Sequence, residues 1–236
     1  MKKIYLVTAL ACCALQPTLA QKQEECKPVN LHCDHLINPL GIDNANPRLS
    51  WMLNDARQGA RQTAYQIIVS TDSLKANNEN GEIWNSGKKE SDQILVTYPE
   101  KNLQPFTKYY WKVNVWDKDG KKATSDINSF ETGMMGMENW QGAWIGDNRD
   151  IHYKPAPYFR KTFDTQKKVK SARAYIAVAG LYELYINGEK IGNHRLDPLY
   201  TRFDRRNFYV TYDVTNQLQK GKNAIGVLLG NGWYNH

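Results

Sequence analysis

Long apolar runs are missing from this chain once its first twenty residues are set aside. No later stretch approaches the ~20 consecutive apolar residues that a membrane-spanning helix needs. Long amphipathic helical periods are missing as well, so these residues cannot build a helical barrel. Cysteine is scarce: of 4 in the chain, Cys12 and Cys13 lie in the leader, leaving Cys26 and Cys33. In an oxidising compartment a bridge across so short a loop is sterically allowed, and it would pin only the entry to the first strand. Zinc-type spacing is absent too, since His32, Cys33 and His35 match no standard pattern and read as strand and loop residues. Concentrated basic charge is also lacking. The pairs Lys88-Lys89, Lys121-Lys122, Lys167-Lys168 and Arg205-Arg206 are scattered over turns and strand ends and read as solvated surface. Nucleic-acid binding would gather them on one face, so nucleic acid is not an expected partner.

What is present begins with an export signal. Lys2 and Lys3 precede an apolar run from Ile4 to Leu15, and Thr18-Leu19-Ala20 has the small residues of a cleavage site. Residues 1–20 are therefore expected to be removed, with the mature chain starting near Gln21 and residing in the periplasm or outside the cell. Acylation at Cys12 is the weaker alternative, because Ala9 stands where a lipid-attachment motif calls for Leu. Loss of Lys2 and Lys3 lowers the formal charge from +7 to +5. A hydrophobic content of 41% with 11% aromatics is that of a folded globular chain.

After a short lead over 21–28, residues 29–133 read as strands throughout. Arg48–Leu53, Thr63–Ser70, Ile83–Ser86, Ile94–Tyr98, Tyr109–Asp117 and Ile127–Thr132 are rich in aromatic and β-branched residues. Turn signals at Asn46-Pro47, Asn80-Gly81 and Asp119-Gly120 separate them. About seven short strands in a hundred residues predict a β-sandwich. In the clearest strand, Tyr109, Trp111, Val113 and Val115 alternate with Lys112 and Asn114, which predicts one face on a core and the other in water. Just upstream, Leu103, Pro105, Thr107 and Tyr109 have the L-x-P-x-T-x-Y spacing, and here the sequence resembles fibronectin type III domains. The resemblance implies a corner in which the Tyr109 hydroxyl turns back onto the backbone. Asp117 and Asp119, in the following hairpin, read as turn formers and not as catalytic acids.

Residues 134–155 form a connector with Trp140 and Trp144 among Gly and Pro. Locking two neighbouring domains by buried area is the favoured role for these tryptophans, with a sugar-stacking platform as the alternative.

Strands resume over 156–236: Tyr158–Phe163, Ala172–Ala179, Leu181–Ile186, Lys190-Ile191, Phe208–Val214 and Asn223–Leu229. The Asn187-Gly188 turn signals a hairpin. Six strands fall short of the eight of a jelly roll, so the expectation is a truncated jelly-roll-type sandwich. The run Gly180 to Gly192, then Leu196-Asp197-Pro198, Tyr209–Val214 and Ala224–Tyr234, resembles the N-terminal carbohydrate-binding-type region of bacterial α-L-rhamnosidases, glycoside hydrolase family 78. Upstream, Asn38–Ile42, Pro47–Trp51, Gln62–Gln66 and Tyr110–Val113 are similar to the fibronectin-like module that opens those enzymes.

The resemblance implies an all-β, non-catalytic portion of an exported glycoside hydrolase acting on rhamnose-containing glycans. In the family an inverting carboxylate pair sits on a helical (α/α)6 barrel further along the chain, and inversion needs the pair roughly 6.5–9.5 Å apart. No residue here matches that catalytic motif. Glu183, Asp197, Asp204 and Asp213 read as exposed, turn or strand-end acids, and no hydrolysis by this chain alone is expected. A stand-alone exported carbohydrate-binding or adaptor protein is the alternative. Loops at a sandwich edge that carry Asn, Asp and aromatic residues can bind hydroxyls and stack a sugar ring, which nominates Asp197, Tyr200, Asn231 and Trp233. No cofactor is expected from the residues; the resemblance brings in calcium, through which some related modules bind rhamnose with oxygen ligands.

Overall fold

The computed structural model describes residues 26–99, 103–147 and 156–233. The leader, Cys12 and Cys13, most of the lead to the first strand, the end of the connector and Tyr234 lie outside them. The described residues are all-β apart from one short helix and two 3-10 turns.

The first sandwich opens with β1 (Lys27–Cys33), β2 (Arg48–Asn54) and β3 (Gln62–Ser70). A helix α1 (Ser73–Asn77) and the short strands β4 (Trp84–Asn85), β5 (Lys89–Glu90) and β6 (Leu95–Thr97) follow. It closes with β7 (Lys108–Asp117), β8 (Lys122–Thr124) and β9 (Asn128–Glu131). One sheet has the order β1-β2-β6; the other has β4-β3-β7-β8, with β5 on β3 and β9 on β7. Alternate residues of each strand face inward. Leu49 and Trp51 of β2 therefore meet Ile67 and Val69 of β3 and Tyr109, Trp111, Val113 and Val115 of β7 in one core. The tyrosine corner forms as the motif requires: the Gln104 amide donates to the buried Tyr109 hydroxyl at 2.8 Å.

Three details differ from the sequence expectation. The outer face of β7 is not in water: Lys112 and Asn114 are only 4% and 0% exposed. They lie under α1 and the turn after it. Lys112 Nζ donates to the Asn77 carbonyl at 2.7 Å, and Asn114 Nδ2 donates to Gln66 and Glu79. The helix leaves no periodic signal in the sequence because five residues hold little more than one turn; Asp72 caps it by accepting from the Leu74 and Lys75 amides. Finally, Cys26 and Cys33 are both free and buried at opposite ends of β1. Seven steps of extended chain separate them by roughly 20 Å, whereas a disulfide needs Cα atoms within about 7 Å. Burial pushes the Cys33 thiol well above its usual pKa, so it stays protonated.

Asp117 and Asp119 do shape their turn, and they also clasp Arg57. Asp117 Oδ1 accepts from the Asp119 and Lys121 amides, while Arg57 reaches Asp55 at 2.5 Å, Asp117 at 2.7 Å and Asp119 at 2.9 Å. The Arg57 hydrogen bond holds the Asp55 carboxyl down to about 2.

The second sandwich contains β10 (Tyr158–Thr165), β11 (Arg173–Ala177), β12 (Leu181–Ile186), β13 (Glu189–Lys190), β14 (Tyr209–Asp213) and β15 (Gly221–Gly230). A four-stranded sheet of order β10-β15-β12-β13 faces the antiparallel pair β11-β14. Leu184 and Ile186 of β12 pack with Ala174, Ile176, Val210 and Tyr212 from the pair.

The other face of β11-β14 is not solvated; it rests on the first sandwich. Arg173 makes a two-bond fork onto the buried Glu131, with both contacts at 2.8 Å. The Tyr209 hydroxyl donates to Asp43 at 2.7 Å and accepts from the Met134 amide at 3.0 Å. Phe106 meets Tyr175, Tyr175 meets Tyr209, and Tyr209 meets Trp140, with ring centroids 5.3, 6.0 and 6.4 Å apart. Trp140 thus takes the locking role, while Trp144 stands 66% exposed. Glycine is needed where β14 crosses: a Cβ at Gly133 would come within 1.9 Å of the Tyr209 hydroxyl.

Candidate functional site

The four nominated residues lie on two segments of the second sandwich. Residues 191–208 join β13 to β14, and residues 231–233 follow β15. The first segment has no regular secondary structure, so side chains hold its backbone in place. The Tyr182 amide donates to the Asp197 carbonyl at 3.2 Å, and the Tyr212 hydroxyl donates to Asp197 Oδ2 at 3.1 Å. His194 Nδ1 lies 3.0 Å from the same oxygen. Behind Tyr212, the Tyr182 hydroxyl lies 2.9 Å from the Tyr212 hydroxyl; burial first, and that bond second, push Tyr182 far above the usual tyrosine pKa. Asp197 is accordingly a clasp that joins the loop to the sandwich, and its Oδ2 is already engaged twice. The adjoining turn is tied by Arg205 and Arg206 amides on the Arg202 carbonyl and by Asn207 on the Phe203 carbonyl.

This scaffold leaves an apolar corner in the open. Tyr200 and Trp233 are 66% and 71% exposed, although 33 residues separate them in sequence. Their ring centroids are 6.3 Å apart at an interplanar angle of 64°, and Phe203 supports Tyr200 edge-on at 5.6 Å. Leu196 and Leu199 of the same loop are exposed to a similar degree. Two rings at this angle cannot stack on one sugar face together, so one can take the face and the other an edge. Asn231 lies two residues before Trp233 in the same segment, with its carbonyl against Gly180. The structure therefore brings Tyr200 and Trp233 together, keeps Asn231 in the adjacent turn and assigns Asp197 to the scaffold.

The remaining acids are each occupied by a cation. Glu183 pairs with Lys190 and accepts from Tyr185 at 2.6 Å, Asp204 pairs with Arg202 at 2.9 Å, and Asp213 pairs with Arg173 at 3.0 Å. Among the described residues no three His, Cys, Asp or Glu side chains gather into a metal-ligating group. Asp197, the one carboxylate among the four nominated residues, has a histidine and a phenol on one oxygen, a set unlike the six to eight oxygens of a calcium cage. A shallow depression lined by Arg57, Gln58, Gly59, Lys118 and Asp119 opens at the far end of β7 from Glu131, remote from this corner.

Comparison with known proteins gives this geometry a family. Residues 28–136 match the model described as Rha78A-like, N-terminal immunoglobulin domain, and residues 167–236 match the alpha-L-rhamnosidase N-terminal domain. The chain belongs to the α-L-rhamnosidase family, as its N-terminal portion. An alpha-L-rhamnosidase from Formosa agariphila is 35% identical over 242 residues, covering 90% of this chain and 25% of the relative. The solved alpha-L-rhamnosidase of Dictyoglumus thermophilum is 43% identical with a TM-score of 0.83, covering 88% of this chain and 25% of that one. That of Aspergillus terreus is 30% identical with a TM-score of 0.76, covering 89% and 24%. The chain thus spans about a quarter of the length of the rhamnosidases it matches.

The residues that couple the sandwiches, Arg173, Glu131, Tyr209 and Asp43, were not nominated from sequence. Their partners lie 42 and 166 residues apart. The one available signal was Arg173 and Tyr175 alternating with the apolar Ala174 and Ile176, which marks a second occupied face only in hindsight of the fold.

Proposed function

We propose that this chain is the non-catalytic N-terminal portion of an exported α-L-rhamnosidase-type hydrolase acting on rhamnose-containing glycans. The first sandwich is an adaptor, and the second contacts the glycan through Tyr200 and Trp233. The observation that carries this reading is the exposed aromatic corner, formed from two distant segments and held by the Asp197 clasp. Exposed aromatic faces stack on the C–H face of a pyranose while neighbouring amides and carbonyls take its hydroxyls. The family membership supports rhamnose as the sugar, and the basic start and apolar run of residues 1–20 support export. Two observations support placing hydrolysis outside these residues: the chain spans about a quarter of the rhamnosidases it matches, and Glu183, Asp204 and Asp213 are each paired with a cation.

Calorimetric titration of the purified chain with a rhamnose-containing oligosaccharide tests the binding. Saturable heat is expected at millimolar sugar, unchanged by calcium or chelator, and lost in Trp233→Ala. Absence of heat from the unaltered protein would overturn the binding role. Release of nitrophenol from p-nitrophenyl α-L-rhamnoside by this chain would overturn the non-catalytic assignment.

A further inference from the structure

We propose that the outward part of the connector, Met137 with residues 141–147, is the docking ridge for the catalytic domain of the same parent chain. This inference rests on the reading of the chain as the N-terminal portion of a longer enzyme, and it names where the rest of that enzyme bears. The root of the ridge is fixed in the contact between the sandwiches. The Met134 amide donates to the Tyr209 hydroxyl at 3.0 Å, the Met135 amide to Asp43 Oδ1 at 2.9 Å, and Asn139 Nδ2 to the Met134 carbonyl at 2.8 Å. Trp140 lies against Tyr209, and the chain then folds back so closely that a Cβ at Gly142 would come within 3.0 Å of the Trp140 indole nitrogen.

Beyond that root the apolar side chains stand in solvent. All of residues 141–147 are exposed, with Trp144 at 66% and Ile145 at 72%, and Met137 on the preceding 3-10 turn is exposed at 84%. Trp144 and Ile145 are neighbours in sequence, so exposure of both means that the segment stands off the sandwiches instead of lying on either. Three large apolar residues exposed within nine positions form the kind of patch that marks an interaction site. Aliphatic Met137 and Ile145 have no flat face to stack on a pyranose, and the polar side chains of the segment are Gln141 and Asp147 alone, so a protein surface fits the patch better than a glycan. Tryptophan and methionine are enriched in such interfaces. Two features select the partner. Through Trp140 the patch continues the aromatic contact that already joins two domains of this chain. The chain also spans about a quarter of the length of the rhamnosidases it matches, so the family supplies a large further domain, tethered at high effective concentration.

Footprinting of the intact parent enzyme against the present chain alone tests the ridge. Hydroxyl radicals modify exposed side chains and mass spectrometry reads the rate at each, with Met52, 56% exposed on the first sandwich, as the internal reference. Relative to Met52, modification of Trp144 and Met137 should fall about tenfold in the intact enzyme, as exposed side chains become the centre of an interface. The double variant Trp144→Ala, Ile145→Ala should leave the melting temperature of the chain alone unchanged, since both side chains stand in solvent. In the intact enzyme the same variant should return Met137 to within about twofold of its rate in the chain alone, because a tryptophan anchor carries much of an interface. Equal rates in the two proteins overturn the proposal while the glycan reading stands. Protection of Tyr200 and Trp233 with Trp144 still reactive places the catalytic domain on the corner and overturns both. Protection of Trp144 in the chain alone that grows with protein concentration replaces the catalytic domain with a second copy. Protection that appears only on adding a rhamnose oligosaccharide replaces it with a sugar. A mature protein with the mass of residues 21–236 and no catalytic domain overturns the proposal and the parent-enzyme reading together.

Discussion

The two sandwiches achieve their stability differently. The first has a core of seventeen buried residues that includes Trp51, Trp84, Trp111, Tyr65, Tyr98, Tyr109 and Phe130. Among the described residues the second has six, of which Tyr182 is the one aromatic, surrounded by partly buried neighbours. Large aromatics supply most of the area that a small core can remove from water, so the first sandwich holds itself together. The second leans on it, through the β11-β14 face and the Arg173–Glu131 fork.

The strongest way to break the comparison is to damage the thicker core. Trp111→Ala should cost about 3–5 kcal/mol, the range for truncating a fully buried tryptophan. If the second sandwich depends on the first, calorimetry should show both unfolding together at the lowered temperature. The reverse dependence is tested by Arg173→Ala. Breaking a buried ion pair leaves Glu131 uncompensated and should cost about 3 kcal/mol. The single melting transition should split in two, the later one close to that of the intact protein. An unsplit transition would show that the aromatic contacts alone couple the sandwiches.

Acid should weaken the first sandwich at the Arg57 clasp. Asp55 is held at about 2 by Arg57, below the ordinary value near 3.9. A lowered folded value means that the stabilisation is complete above about pH 4 and is lost as pH falls towards 2. Burial works against Asp117, yet Arg57 and the turn amides still hold it below its ordinary value, so it adds to the same window. Asp55→Asn should flatten the pH dependence of unfolding below pH 4 without moving ligand affinity at the distant corner. The smallest effect is expected from Tyr109→Phe. It removes one buried hydrogen bond to the Gln104 amide and should cost about 1 kcal/mol, read as a denaturant midpoint shift at constant slope.

Much of this architecture is legible in the residues because the signals are local. The strand β7 and its core-facing residues, the spacing that ends in Tyr109 and the Asn187-Gly188 turn each concern neighbours in the chain, and each forms as read. The reading fails where a distant segment covers a face. Lys112 and Asn114 have the polarity of solvent-facing residues, but residues 72–79 pack over them and satisfy their donors. The clasp role of Asp197 is hidden for a similar reason: its partner Tyr212 comes from β14, fifteen residues away.

By itself the sequence determined the all-β class, the order of most strands along the chain and the family, since these depend on composition, periodicity and motif spacing. Only the tertiary structure decided that Cys26 and Cys33 stay apart, that Trp140 locks the sandwiches while Trp144 does not, and that Tyr200 meets Trp233. Those outcomes depend on which surfaces are brought together, and burial and pairing are properties of the packed chain.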